Sequence, residues 1–412
     1  MPYNFHIFYE YQALDKDLSE KIYPFIENSI KLQNYFSSGW GQIKTSNYCG
    51  SIDIDNESIL ILPKIENEQN IYAKNLEYLI YIISYVYDIN LYETYTNIDN
   101  FKNQNILKFY ITIFIKALEA EGPKGLYNEY ITYEDNLNKL KGRYLVNEDS
   151  KYNLIKTKIY CQYDEFTENN YLNQIFAFTI HKLRAFSKNE ENKKRLASLS
   201  LLFVDVDLKD FSSININPYY TFNRNNERFK KTYDIAIFIL KKLSIYFDYR
   251  NKKFFSFIFN MNELFEMFIG KLIKETLPRE FTVKLQSKSK LGEFKIKPDI
   301  IIFKYDKPIL IIDTKYKKIT AQKDITTCDL YQIYAYGMSY PDWINNRRNV
   351  MLLYPKHLIE NLIISSQRLG NIEFEETIVN LKVEHIDIKN KHTDYNDYLF
   401  LLKEEIKQIL NL

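Results

Sequence analysis

The chain has 412 residues, 46% of them hydrophobic and 26% charged, a globular composition long enough for two or three domains and unlike a disordered or fibrous chain. Its 55 basic and 53 acidic residues nearly cancel, leaving +2, so no global positive field marks it as a nucleic-acid binder. Cys49, Cys161 and Cys328 lie too far apart for a disulfide framework or a zinc set, and the uncharged apolar stretch Tyr78 to Tyr87 is too short to span a bilayer. The opening MPYNFHIFYEYQ has no basic segment followed by an apolar core, so it does not read as a signal peptide, and a soluble cytoplasmic protein is expected.

In chain order, Gly50–Ile54 and Ser58–Leu62 read as two strands around an Asp55-Asn56-Glu57 turn, ended by Pro63. Leu76–Tyr92 and Asn105–Ala120 carry helical apolar spacing. Residues 121–175 mix turns with short extended runs and lead into a helix at Tyr171–Phe186, on which His181 reads as a core or interface histidine rather than a catalytic one. The charged run 187–197 predicts a loop or an exposed helix end, and Tyr233–Tyr246 predicts an amphipathic helix. Near residue 250 the pattern changes. A helix at about Met261–Glu275 precedes extended segments at Phe281–Leu285, Lys297–Phe303 and Ile309–Lys315, then a helix at about Asp324–Met338 and a strand at Val350–Tyr354. This order predicts two regions: an α+β N-terminal part over 1–250, and an α/β core over 251–412 with a mixed sheet flanked by helices.

Chemistry concentrates in the second region. Residues 284–318 hold ten Lys against four acids, a local patch that suits phosphates or merely a solvated face. Lys297-Pro298-Asp299 begins one apolar run, Asp313-Thr314-Lys315 ends the next, and the short Lys304–Pro308 stretch between them turns. With the tip at Asp306, residues whose numbers sum to 612 stand opposite one another. Asp299 then faces Asp313, and Lys315 shares their side of the sheet. Two acids paired across apolar strands repel, and a divalent cation between their oxygens relieves the repulsion. Hard oxygen donors favour Mg2+, or Mn2+, over zinc, and a neighbouring lysine suits phosphodiester hydrolysis. Alternatively, these are strand-end acids paired with surface lysines.

Pro298-Asp299 followed by Asp313-Thr314-Lys315 resembles the signature of PD-(D/E)xK nucleases. Ile312–Lys317, Asp329–Tyr336, the helix around Asn262–Glu266 and Leu353-Tyr354-Pro355 together resemble the McrC family of modification-dependent restriction systems. Upstream, Ile61–Ile65, Gly142-Arg143 after Leu140, Tyr163–Thr167 with Asn173, and Phe222–Asn225 follow the family's order. The resemblance implies a restriction-endonuclease-like core. In it, Asp299, Asp313 and the Thr314 carbonyl hold Mg2+ and Lys315 is catalytic. Glu266 is a further ligand or a solvated helix residue. Gln332 and Tyr336, at i and i+4, face the site or cap the core. Lys284, Lys288, Lys290, Lys295 and Lys297 are candidates for holding the DNA backbone. Lys64 and Arg143 sit in motifs of the region that docks on a motor, where ordinary salt bridging is the alternative.

No GxxxxGK[ST] loop occurs, so this chain is not expected to bind a nucleotide itself. The resemblance implies a separate McrB-like AAA+ GTPase hexamer, double-stranded DNA carrying modified bases, and cleavage in antiphage defence. Competing readings are a non-catalytic stimulator of the motor and a stand-alone or RNA-directed nuclease.

Overall fold

A computed structural model describes residues 4–39, 42–65, 72–89, 105–155, 157–187, 189–211, 216, 220–247, 253–291, 293–317, 319, 324–340, 342–344, 347–356, 367–374, 377–389 and 395–411. The chain forms two compact units. One is Met1–Ile106 with Ser244–Leu412, and the other is Leu107–Leu243. One boundary, at Leu243/Ser244, lies close to the expected break near residue 250, but Met1–Ile106 belongs with the C-terminal part rather than with the rest of the N-terminal region. Strand Lys253–Asn260 pairs antiparallel with Tyr48–Ile54, so segments from either side of position 250 share one sheet.

That sheet has five strands in the order Asn4–Tyr9, Glu57–Leu62, Tyr48–Ile54, Lys253–Asn260, Leu243–Phe247. Its hairpin turns at Asp55-Asn56, with Asp55 at φ 53° and Ile54 opposite Glu57. Ile52, Ile54, Ile59 and Ile61 point alternately to one face. There they pack with Leu18, Ile22 and Phe25 of helix Lys16–Glu27. Helix Tyr72–Val86 also packs against Glu57–Leu62, so this strand is buried along its whole length rather than on one face. Residues 90–92 of the expected Leu76–Tyr92 helix lie outside the described residues.

The same unit holds a six-stranded mixed sheet, ordered Phe281–Leu285, Ile300–Lys304, Lys307–Thr314, Arg347–Pro355, Thr377–Ile386, Gln367–Phe374. Lys307–Thr314, Arg347–Pro355 and Thr377–Ile386 run parallel, and the other neighbours pair antiparallel. Helix Thr327–Met338 makes the crossover between the first two parallel strands. Ile333 and Tyr336 of that helix pack on Ile301, Ile311, Leu352 and Val383. Gly337 lets the helix close down. A Cβ there would sit 2.9 Å from Val350 Cγ1. Alternate residues point to the opposite face. There Leu285 meets Gly270 of helix Met261–Thr276, whose Leu264, Phe265, Phe268, Ile269 and Leu272 are buried.

The second unit has helices Tyr171–Phe186, Glu190–Ser200 and Lys230–Lys242, and a sheet in which Ile159–Thr167 lies between Glu129–Leu137 and Arg143–Tyr144. The charged run expected as a loop or helix end is a full helix. The Asn189 side chain caps it, and Arg195 pairs with Glu119. The helix expected over Tyr233–Tyr246 stops at Lys242, where the chain enters strand Leu243–Phe247. His181 is exposed, not in the core.

In the six-stranded sheet, Tyr305 and Asp306 both adopt positive φ, 52° and 60°, forming a two-residue turn that Asn-Gly fits better than Tyr-Asp. Replacing Tyr305 by Asn together with Asp306 by Gly should raise the free energy of unfolding by about 1 kcal/mol. Urea denaturation checks this, and an unmoved or lowered midpoint would contradict the turn described.

Candidate active site

The hairpin that carries the acids reaches its register by an unexpected route. The Tyr305-Asp306 turn sets Lys304 opposite Lys307 and Phe303 opposite Pro308, one residue out of the expected sum. A register shift between Ile302 and Phe303 then leaves Ile309 as a bulge, and Ile302 faces Leu310, Ile301 faces Ile311 and Ile300 faces Ile312. Pro308 has no N–H to give to the ladder, which suits it to the place beside a bulge. The Asn349 side chain donates to the freed Ile309 carbonyl at 3.1 Å. One step further along, Asp299 stands level with Asp313.

Asp299 lies just before its strand, and its Oδ2 accepts from the Thr314 N–H at 2.8 Å and the Thr314 hydroxyl at 2.9 Å. Asp313 is 1% exposed. Lys315 Nζ lies 2.7 Å from Asp313 Oδ2, but off the line of a hydrogen bond, so the contact is one of charge and that buried oxygen has no donor. Lys315 Nζ donates instead to Gln332 Oε1 at 2.8 Å, and the Gln332 amide donates to the Tyr336 hydroxyl at 2.7 Å. Burial, and then the charge of Asp299, push Asp313 up to about 7. Burial also raises Asp299, against the pull of Thr314 and Lys315. Burial alone would lower Lys315, but Asp313, Asp329 and Asp299 outweigh it and hold the ammonium protonated. Two acids, one of them with an unsatisfied oxygen, are an arrangement that a cation completes.

The family model of the McrBC 5-methylcytosine restriction system component matches residues 43–355. The chain belongs to that family. Its fold is similar to a refined half-complex from a tetradecameric assembly of Thermococcus gammatolerans McrB AAA+ hexamers with bound McrC. That match has 18% identity and a TM-score of 0.67, and covers 98% of this chain and 100% of that one. The cryo-EM structure of the Thermococcus gammatolerans McrBC complex is 21% identical over 67% of this chain and 89% of that one, at a TM-score of 0.46. No curated protein matches.

Other residues of this McrBC-family chain stand around the pair. Glu266 is raised by burial and by the charge of Asp299, yet its Oε1 is taken by the Gln286 amide at 2.7 Å. Among the described residues no three His, Cys, Asp or Glu form a metal-holding group, so Glu266 does not complete a three-acid cluster in this arrangement. Gln286 had no signal in the sequence. It has φ 47°, its N–H donates to the Asp299 carbonyl at 2.8 Å, and its Oε1 accepts from Lys297 at 2.7 Å. Asp329 was also overlooked as a site residue. Its Oδ1 is 4.0 Å from Lys315 Nζ, and its Oδ2 bonds Lys317 and Thr326. Opposing its burial, these partners keep it ionised. Thr326 and Asp329 form a capping box, a T-x-x-D pattern that could have drawn notice. Tyr354, on the adjacent parallel strand, brings a buried hydroxyl with no hydrogen-bond partner among the described residues.

Of the lysines, Lys297 reaches the site through Gln286, and Lys284 lies over the Phe303 ring at 4.7 Å. Lys288 and Lys295 are exposed, and the side chain of Lys290 lies outside the described residues. Lys64 is exposed and gives its backbone N–H to Glu10. In the other unit Arg143 is exposed on a short strand opposite Gln162, after Gly142 at φ 66°. A Cβ on that glycine would lie 2.4 Å from the Gln162 carbonyl oxygen.

The carboxyl of Asp313, lifted from 3.8 to about 7 in the folded chain, adds stability only while protonated, and that contribution fades as pH rises towards 7. That loss begins near 3.8 and is complete near 7, so with divalent ions chelated Asp313→Asn should melt higher than the unmodified chain, by a larger margin at pH 8 than at pH 5. Equal melting at both values would show that the acid is not held against its charge.

Proposed function

We propose that this chain is the DNA-cutting subunit of an McrBC-type restriction complex, a nuclease of the PD-(D/E)xK kind that hydrolyses phosphodiester bonds with a divalent cation. The supporting observation is Asp313, a buried carboxylate with one oxygen lacking a donor, level with a second acid and 2.7 Å from a protonated lysine. Oxygens of Asp299 and Asp313, with the Thr314 carbonyl, would hold the ion, and Glu266 is the next nearest acid. An all-oxygen set of this kind suits Mg2+ or Mn2+. When bound, the ion offsets the paired negative charges, polarises the phosphodiester and makes water acidic enough to attack at neutral pH.

The chain's own residues do the remaining work. Lys315, kept protonated by three acids, offers positive charge to the phosphate as negative charge builds on it. Gln332 points that ammonium through its 2.8 Å hydrogen bond, and Tyr336 fixes Gln332. Lys284, Lys288, Lys290, Lys295 and Lys297 hold the DNA backbone, which positions the strand without reading its bases. Membership of the family, and likeness in fold to a McrC bound to McrB AAA+ hexamers, support docking on an McrB-like AAA+ GTPase hexamer. Lys64 and Arg143 are the surface residues assigned to that contact. The complex is assigned to the cytoplasm, acting on double-stranded DNA with modified bases.

Cleavage of a methylated plasmid, with the motor, its nucleotide and Mg2+, tests the reading. Asp313→Ala and Lys315→Ala should each slow cutting on the order of 100-fold or more while stimulation of the motor's nucleotide hydrolysis persists. Unimpaired cutting by Asp313→Ala would reject the site. Stimulation without cutting by the unmodified chain would make it a non-catalytic assembly subunit.

A further inference from the structure

A second buried acid stands behind the site. Glu10, just past strand Asn4–Tyr9, is 1% exposed. Its Oε2 accepts the Tyr316 hydroxyl at 3.0 Å and the Lys64 N–H at 3.2 Å, while its Oε1 has no partner among the described residues. Burial lifts this carboxyl to about 7. An apolar side chain of similar size would fill the space at lower cost, so packing alone does not account for an acid here.

Tyr316 shows what the acid does. The ladder between Lys307–Thr314 and Arg347–Pro355 ends at Thr314; past it the Lys315 N–H donates to the Leu353 carbonyl at 3.0 Å, and the Lys315 carbonyl accepts from the Lys317 N–H at 3.1 Å. The next residue is Tyr316, beyond the ladder. Its ring packs 5.7 Å from that of Phe265, the neighbour of Glu266, and its hydroxyl ends on Glu10. The backbone around Lys315 is thus clamped between the six-stranded sheet on one side and Glu10 on the other. Lys64, in the Leu62-Pro63-Lys64 stretch, braces Glu10 from the five-stranded sheet.

We propose that Glu10 is a positioning residue for cleavage: through the Tyr316 hydroxyl it fixes where Lys315 and the Phe265-Glu266 turn of helix stand around Asp299 and Asp313. The proposal rests on the nuclease reading above. It connects the N-terminal strands to the chemistry with no contact between Glu10 and substrate. Misplacing reacting groups by about 1 Å costs on the order of 100-fold in rate, so a small release of Tyr316 is enough to register.

The experiment uses the full chain with its motor, methylated plasmid and Mg2+, at a temperature where circular dichroism shows every variant folded. Tyr316→Phe and Glu10→Met should each lower the single-turnover cleavage rate about tenfold or more, leaving DNA affinity and stimulation of the motor unchanged. Glu10→Gln keeps an acceptor for both donors and should restore cutting to within about threefold. The double variant Glu10→Met/Tyr316→Phe removes both polar partners, so it should regain part of the lost thermal stability yet cut no faster than Glu10→Met alone. Recovery of cleavage together with stability in the double variant would reduce the pair to a structural contact and overturn the proposal. So would normal rates in both single variants while Asp313→Ala is inactive. If Asp313→Ala itself cuts normally, the nuclease reading fails first and this proposal falls with it.

Discussion

Asp299 and Asp313 level with each other across an apolar hairpin are the constraint to which the surroundings answer. Like charges in that position destabilise a strand pair, and burial deepens the cost. The fold meets it with a chain of alternating charges. Thr314 donates twice to Asp299, Lys315 approaches Asp313, Asp329 stands beyond Lys315, and Lys317 closes on Asp329. Each member is offset by the next, except that one oxygen of Asp313 is left without a donor. The unmet demand is therefore concentrated at one atom, which Lys315 meets by charge at 2.7 Å, and that is where the proposed cation would offset it.

Placing the two acids level takes more than a short turn. A two-residue turn alone would keep the Lys304–Lys307 pairing along the whole ribbon and set Asp299 opposite Ile312, on the wrong face. The bulge at Ile309 corrects this by one residue, and a slip of one residue exchanges the two faces of a strand. Pro308 and Asn349 make the correction tolerable, the first by having no N–H to lose and the second by taking the orphaned carbonyl. The geometry of the candidate site depends on an irregularity several residues away.

The apolar runs around Asp299 and Asp313, the helix Met261–Thr276 and the crossover helix were legible because hydrophobic period and capping report local structure. The expected residue sum held at the site for a reason other than the one it assumed, because positive φ at Tyr305 and Asp306 has no marker in a Tyr-Asp pair. Gln286 carries no signal because its importance lies in what it touches, and Asp329, although it opens the Asp329–Tyr336 stretch and a capping box, shows its pairing with Lys315 and Lys317 only in the folded chain. The break near residue 250 lies close to a unit boundary, but a change of pattern along the chain says nothing about pairing between distant strands, and Lys253–Asn260 pairs with a strand some two hundred positions earlier. The Glu190–Ser200 helix was hidden by its charge, although its Asn189 cap was in view.

That long-range pairing bears on how the site is supported. Had the N-terminal strands formed a separate body, the segment following Lys315 would keep the Phe265 ring and Asp329 as neighbours but lose the hydrogen bond that holds the Tyr316 hydroxyl. Instead the five-stranded sheet and the six-stranded sheet belong to one compact unit, and Glu10, just past a strand of the first, holds Tyr316, just past a strand of the second. A buried acid is a poor way to fill space but a directional way to hold a hydroxyl, since a hydrogen bond fixes distance and angle where apolar contact fixes neither. In the proposed reaction Lys315 has to be charged, near Asp313 and free to meet a phosphate. Its side chain cannot be packed tightly without losing that last freedom, so rigidity has to come from the backbone on either side of it. The sheet supplies one side and the Glu10–Tyr316 pair the other.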